Sequence, residues 1–162
     1  MQPPQQPHLG NYGLEIKTYN EHEVKKVHLG RREFLMAKNG THYKILVHNR
    51  SDYCCDVSIS ISQQYIGTWR VNAISTLTIT EDLRTKKEFC FDNISHRHVN
   101  AGLPAADACH ESSIAVKFVP SNGIINSLAI PGQTVERLRG NQVDHRNIVT
   151  ITLPIMICDH HV

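Results

Sequence analysis

From residue 42 onward the chain alternates apolar and polar positions with a period of two. In His42–His48, the residues Tyr43, Ile45 and Val47 fall on one face, with His42, Lys44 and His48 opposite. Successive side chains of a strand point to opposite sides of its sheet, so this pattern predicts a half-buried strand. Cys55, Val57, Ile59 and Ile61 alternate in the same way with Asp56, Ser58 and Ser60. A helix would spread those apolar residues round its whole circumference. Asn49-Arg-Ser-Asp52 supplies turn chemistry between the two runs. The polar connection Ser62-Gln-Gln64, with Gly67 in the next run, makes residues 54 to 71 a hairpin.

Further strands follow from the same rule. Leu77 and Ile79 turn inward from Thr76–Thr80, and Phe89 and Phe91 from Glu88–Phe91. Ile114, Val116 and Phe118 form one apolar face, and Val149, Ile151 and Leu153 another, with Pro154 expected to close that last strand. Residues 12 to 37 are less regular, although the run Glu33-Phe-Leu-Met-Ala37 reads as a strand. The Pro- and Gln-rich residues 1 to 11 hold too little apolar surface to pack and read as a flexible arm. Residues 92 to 112 and 120 to 146 carry Asn, Gly and Pro and read as two long loops. No long amphipathic segment is available for βαβ crossovers. The predicted architecture is therefore all-β: an antiparallel β-sandwich, jelly-roll-like or of a related Greek-key arrangement, formed by residues 12 to 162 as a single domain.

The one tryptophan lies in this pattern. Gly67, Trp69 and Val71 share a face, while Ile66, Thr68 and Arg70 share the other. Trp69 is thus expected to anchor the core. Arg70 is expected to be the freer residue, available to a cross-strand carboxylate or to a partner. Of the vicinal pair, Cys55 has the core phase and Cys54 the exposed one.

The 162-residue chain has 20 % charged and 40 % hydrophobic residues and a formal net charge of +2, ordinary values for a soluble protein. Short basic pairs such as Lys25-Lys26 and Arg31-Arg32 are interspersed with acids, which argues against nucleic-acid binding. No apolar run is long enough to cross a bilayer. The N-terminus has neither the basic start nor the apolar core of a signal peptide, so an intracellular protein is expected, with incorporation into a larger assembly open to it. Five cysteines at irregular spacing do not read as a disulfide framework. The sequons at Asn39, Asn49 and Asn93 are then chance occurrences.

Eleven histidines are many for this length. His96 and His98 would share one face of a strand, and His160 and His161 follow Cys158 and Asp159, so these four are the candidate ligands for zinc or copper. Their spacing does not by itself close a site, and no cofactor is required. Cys109-His-Glu111 sets a thiol, an imidazole and a carboxylate side by side, but catalytic sets are assembled by the fold and not by adjacency. No nucleophile elbow, P-loop, dinucleotide fingerprint or zincin motif occurs. The expected function is non-enzymatic: a structural or assembly subunit acting through other protein chains as a homo-oligomer, of which coat and capsid subunits are a familiar example. The competing class is a ligand-binding sandwich, taking a metal through His and Cys or a glycan through the long loops.

Overall fold

The computed structural model describes residues 9–20, 22–91, 109–120 and 148–158. After a 3₁₀ turn at Leu9–Asn11, the alternating runs become β1 (Tyr12–Thr18), β2 (Lys26–Leu29), β3 (Arg32–Lys38), β4 (His42–Asn49), β5 (Cys55–Ile61) and β6 (Gln64–Val71). They continue as β7 (Ser75–Ile79), β8 (Phe89–Cys90), β9 (Cys109–Pro120) and β10 (Val149–Cys158). The chain is an all-β sandwich of two packed sheets. One has the order β1-β4-β7, with β8 pairing the other end of β4; the second has the order β2-β3-β10-β9-β5-β6. β9 and β10 insert between β3 and β5, and β10 runs parallel to β3, so the second sheet is mixed and not wholly antiparallel as the sequence pattern predicts.

The core faces interdigitate between the sheets. Ile45, Val47, Val57, Ile59, Ile114, Val116 and Phe118 are fully buried. Each such side chain contributes about 1.5–3 kcal/mol relative to exposure. Tyr12 stacks on Phe118 with ring centroids 4.6 Å apart, and Tyr43 on Phe91 at 4.0 Å.

Three features depart from the simple pattern. Pro154 does not end its strand, which runs on to Cys158. The parallel pairing of β10 with β3 starts at Ile155, so Pro154 sits before that ladder begins and removes no bond from it. The predicted loop 92 to 112 gives up its last residues, because β9 begins at Cys109. In β6 the register passes from Ile59↔Gly67 to Ser60↔Tyr65, leaving Ile66 as a bulge. The bulge turns Ile66 into the core, where it is 1 % exposed, instead of onto the face of Thr68 and Arg70.

Candidate functional site

Two corners carry the chain from one sheet to the other at the same end of the sandwich. One follows β4 and leads into β5; the other joins β6 to β7. The register Tyr12↔Asn49↔Ser75 puts the start of β1 at this end too, directly after Leu9–Asn11. The corners are stitched together by Asn49, which is 1 % exposed. Its Nδ2 donates to the carbonyls of Tyr53 at 2.7 Å, Asn72 at 3.1 Å and Val71 at 3.3 Å. Its Oδ1 accepts from the Ser51 amide at 3.0 Å and the Ser51 hydroxyl at 2.7 Å. The Ser75 hydroxyl and the Cys54 thiol donate to the Asn72 carbonyl and side chain at 2.7 and 3.6 Å. Asn49-Arg-Ser51 is thus a structural corner, and its buried amide is unavailable to a glycosyl carrier.

This clasp holds Ile74 out. Ile74 is 67 % exposed, and its φ of 52° lies in the left-handed region. A β-branched residue rarely adopts that conformation, which costs on the order of 1–3 kcal/mol. The Ile74 amide is fixed to the Ser51 carbonyl at 3.2 Å. Folding therefore gains little burial, and no backbone comfort, from isoleucine here.

Beside it, on the outer face of the β1-β4-β7 sheet, His48 bridges two strands. Its Nδ1 shares a hydrogen bond with the Thr76 hydroxyl at 2.7 Å, and its Nε2 with the Glu15 carboxylate at 2.5 Å. The hydrogen bond from His48 holds the Glu15 carboxyl below its ordinary pKa. The Arg50 guanidinium lies flat across β1, because Gly13 leaves room: a β carbon there would stand 3.1 Å from both terminal nitrogens. A hydroxyl, an imidazole and a carboxylate in a row have the composition of a nucleophile, base and orienter. Here all three side chains stand on one face of a regular sheet, where they tie β1, β4 and β7 together. The sequence held only a faint signal for this row, the place of His48 on the polar face of β4.

The other predicted residues are placed as follows. Trp69 is 6 % exposed and belongs to the core cluster, opposite Val57. Gly67 is needed beside it, because a β carbon there would meet Leu83 at 2.6 Å and Trp69 at 2.9 Å. Arg70 is not the freer residue; it is 2 % exposed. Its Nε and Nη2 donate to the two carboxylate oxygens of Asp56 at 2.8 and 3.1 Å, across the Asp56↔Arg70 register pair. The cross-strand carboxylate therefore takes the guanidinium, and a partner does not find it exposed. Cys54, expected outside, is fully buried in the clasp, where burial raises its thiol pKa. Cys158 is disulfide-bonded, contrary to the expectation of thiols alone. The backbone register sets it opposite Cys109, a closeness that sequence spacing does not carry.

His96, His98, His160 and His161 lie outside the described residues. Among the described residues, no group of three His, Cys, Asp or Glu side chains could hold a metal ion. Of the basic residues, Arg32 pairs with Glu111 at 2.6 Å and stacks over Phe34 at 4.6 Å, and Lys26 pairs with Glu33 at 3.8 Å. No family model matches the chain, and no curated protein matches it. Among the described residues no helix is long and apolar enough to cross a membrane.

Proposed function

We propose that this protein is a non-enzymatic structural or assembly subunit that works through contacts with other protein chains, copies of itself foremost. Ile74 carries the reading. The Ile74 side chain stays 67 % exposed in a left-handed turn, yet a buried clasp uses five hydrogen bonds of Asn49 to fix the corners around it. Such a rigid apolar tip suits an anchor that becomes buried on association, where preorganisation lowers the cost of binding. The edges add support. The Leu83 amide already donates to the Ile66 carbonyl of edge strand β6, and the Val24 amide to the Ile16 carbonyl of edge strand β1. Those two contacts occupy part of each edge and so disfavour strand addition there. Leu9–Asn11 lead into β1 at the same end, and a Pro- and Gln-rich sequence precedes them, as in the arms of coat and capsid subunits. The Glu15, His48 and Thr76 row serves as a cross-strand tie in this reading and not as a catalytic set.

Size-exclusion chromatography with light scattering, on the full chain and on a chain lacking residues 1 to 11, tests the proposal. Mass rising with concentration in the full chain is the expected result. A monomer of 18.3 kDa at every concentration would count decisively against it.

A further inference from the structure

The outer face of the six-stranded sheet holds a shallow depression of about 470 Å³ lined by Ser58, Ser60, Tyr65, Ala115, Lys117 and Thr150. Its size falls in the range of small-ligand sites. A specific device of the backbone presents its aromatic wall. Without the bulge at Ile66, Tyr65 would share the phase of Gly67 and Trp69 and point into the core. With it, Tyr65 pairs with Ser60 and stands on the outer face, 49 % exposed. The ring is then pinned: the Tyr65 hydroxyl bonds the Thr68 hydroxyl at 2.6 Å, and Thr68 bonds the Ser58 hydroxyl at 2.9 Å. Bulges commonly re-aim a side chain beside a site, and this one leaves a large aromatic surface in water that an unbulged strand would have buried.

We propose that this face binds an acidic saccharide. A pinned tyrosine ring offers a flat apolar surface for the C–H face of a pyranose, with a polar end for its hydroxyls. Hydroxyl side chains both donate and accept, which matches the mixed hydrogen-bonding capacity of a polyol. Of the six lining residues, Lys117 alone is charged, and its ammonium suits a sugar carboxylate. A phosphate-rich ligand fits less well, since the lining has no arginine fork to grip phosphate in two places. The site is separate from the Ile74 end, and its occupancy does not depend on assembly.

Titration of the isotope-labelled full chain, followed by NMR, tests it with sialyllactose as the probe and lactose as the neutral control. Sialyllactose is expected to give saturable shifts at Ser58, Tyr65, Thr68 and Lys117, with lactose about ten-fold weaker for want of the charge-assisted contact. Lys117→Ala should bring sialyllactose down to the level of lactose, and Tyr65→Ala should abolish both responses. Both side chains are exposed, so both variants retain the fold. The proposal is overturned by the absence of saturable shifts, by equal binding of the two sugars, or by binding that survives both substitutions. A single-stranded oligonucleotide shifting these residues where the sugars do not would overturn it equally.

Discussion

Replacing Asn49 by Ala probes the corner clasp most directly. Its amide serves three carbonyls with two N–H groups, so the 3.3 Å bond to Val71 is the shared and weaker one. The carbonyl oxygen of the side chain meanwhile accepts both the amide and the hydroxyl of Ser51. Truncation leaves the Val71 carbonyl and the Ser51 amide without this partner in a buried corner, at ~1–3 kcal/mol each. The carbonyls of Tyr53 and Asn72 lie nearer the surface and can recover a water, at a net loss of ~0.5–1.5 kcal/mol apiece. Allowing for relaxation, the expected destabilisation is about 3–5 kcal/mol. That is a large share of the ~5–15 kcal/mol typical of a whole domain, and lowers Tm by roughly 10 °C. Urea unfolding followed by circular dichroism measures it, provided the slope m is unchanged and only the midpoint moves. Asn49→Asp should be at least as damaging, since it keeps the acceptor for Ser51 but turns a second oxygen on three carbonyls. A loss below ~1 kcal/mol for Asn49→Ala would refute the clasp, because a single exposed hydrogen bond would account for it.

Three further outcomes follow from the same structure. Trp69→Ala should cost ~3–5 kcal/mol, as for other buried aromatics, and the native tryptophan fluorescence should be blue-shifted and poorly quenched by iodide; a red-shifted, readily quenched signal contradicts this. Tyr12→Phe should be neutral or stabilising by ~1 kcal/mol in urea unfolding, because the buried hydroxyl makes no hydrogen bond even though Ser51 lies close enough to influence it. The depressed pKa of Glu15 contributes stability that is present above its unfolded value near 4.5 and is lost as pH falls through the lower folded value. The stability difference between the native chain and Glu15→Gln should therefore shrink as pH drops below that region, and a difference that is flat with pH contradicts the His48 contact as its cause.

The strands were legible wherever one face is buried and the other is wet. β4 and β9 alternate because each lies over the core on one side only, and Tyr43 and Val116 sit where period two puts them. Alternation fails when the outer face is also occupied. Arg70 has the phase of a solvent-facing residue, yet its bidentate bond to Asp56 and its burial take it out of water. Period two puts Ile66 on that same face, but a bulge adds one residue and reverses the phase behind it, and nothing in Gln64-Tyr-Ile-Gly67 announces the extra residue. Cys54 departs from its phase for a related reason: it is the last residue of the corner before β5, and there the side chain follows the turn and not the strand. The Asn49 clasp was half legible, since Asn49-Arg-Ser-Asp52 reads as a turn, but its partners at Val71 and Asn72 come from a strand more than twenty residues away. The row of Glu15, His48 and Thr76 and the Cys109↔Cys158 register are long-range pairings of the same kind, set by strand order and not by local pattern.

Sedimentation velocity of the full native chain and of Ile74→Asp, over a wide range of concentration, tests the central claim that this end of the sandwich is an assembly contact. Ile74 is exposed and its backbone strained, so aspartate, which tolerates the left-handed region better, should leave monomer stability unchanged or slightly raised. The account predicts that the native chain moves to larger species as concentration rises, and that Ile74→Asp stays monomeric or needs at least about ten-fold more protein to associate. A native chain that sediments as a monomer throughout, or an Ile74→Asp chain that associates just as strongly, would contradict it.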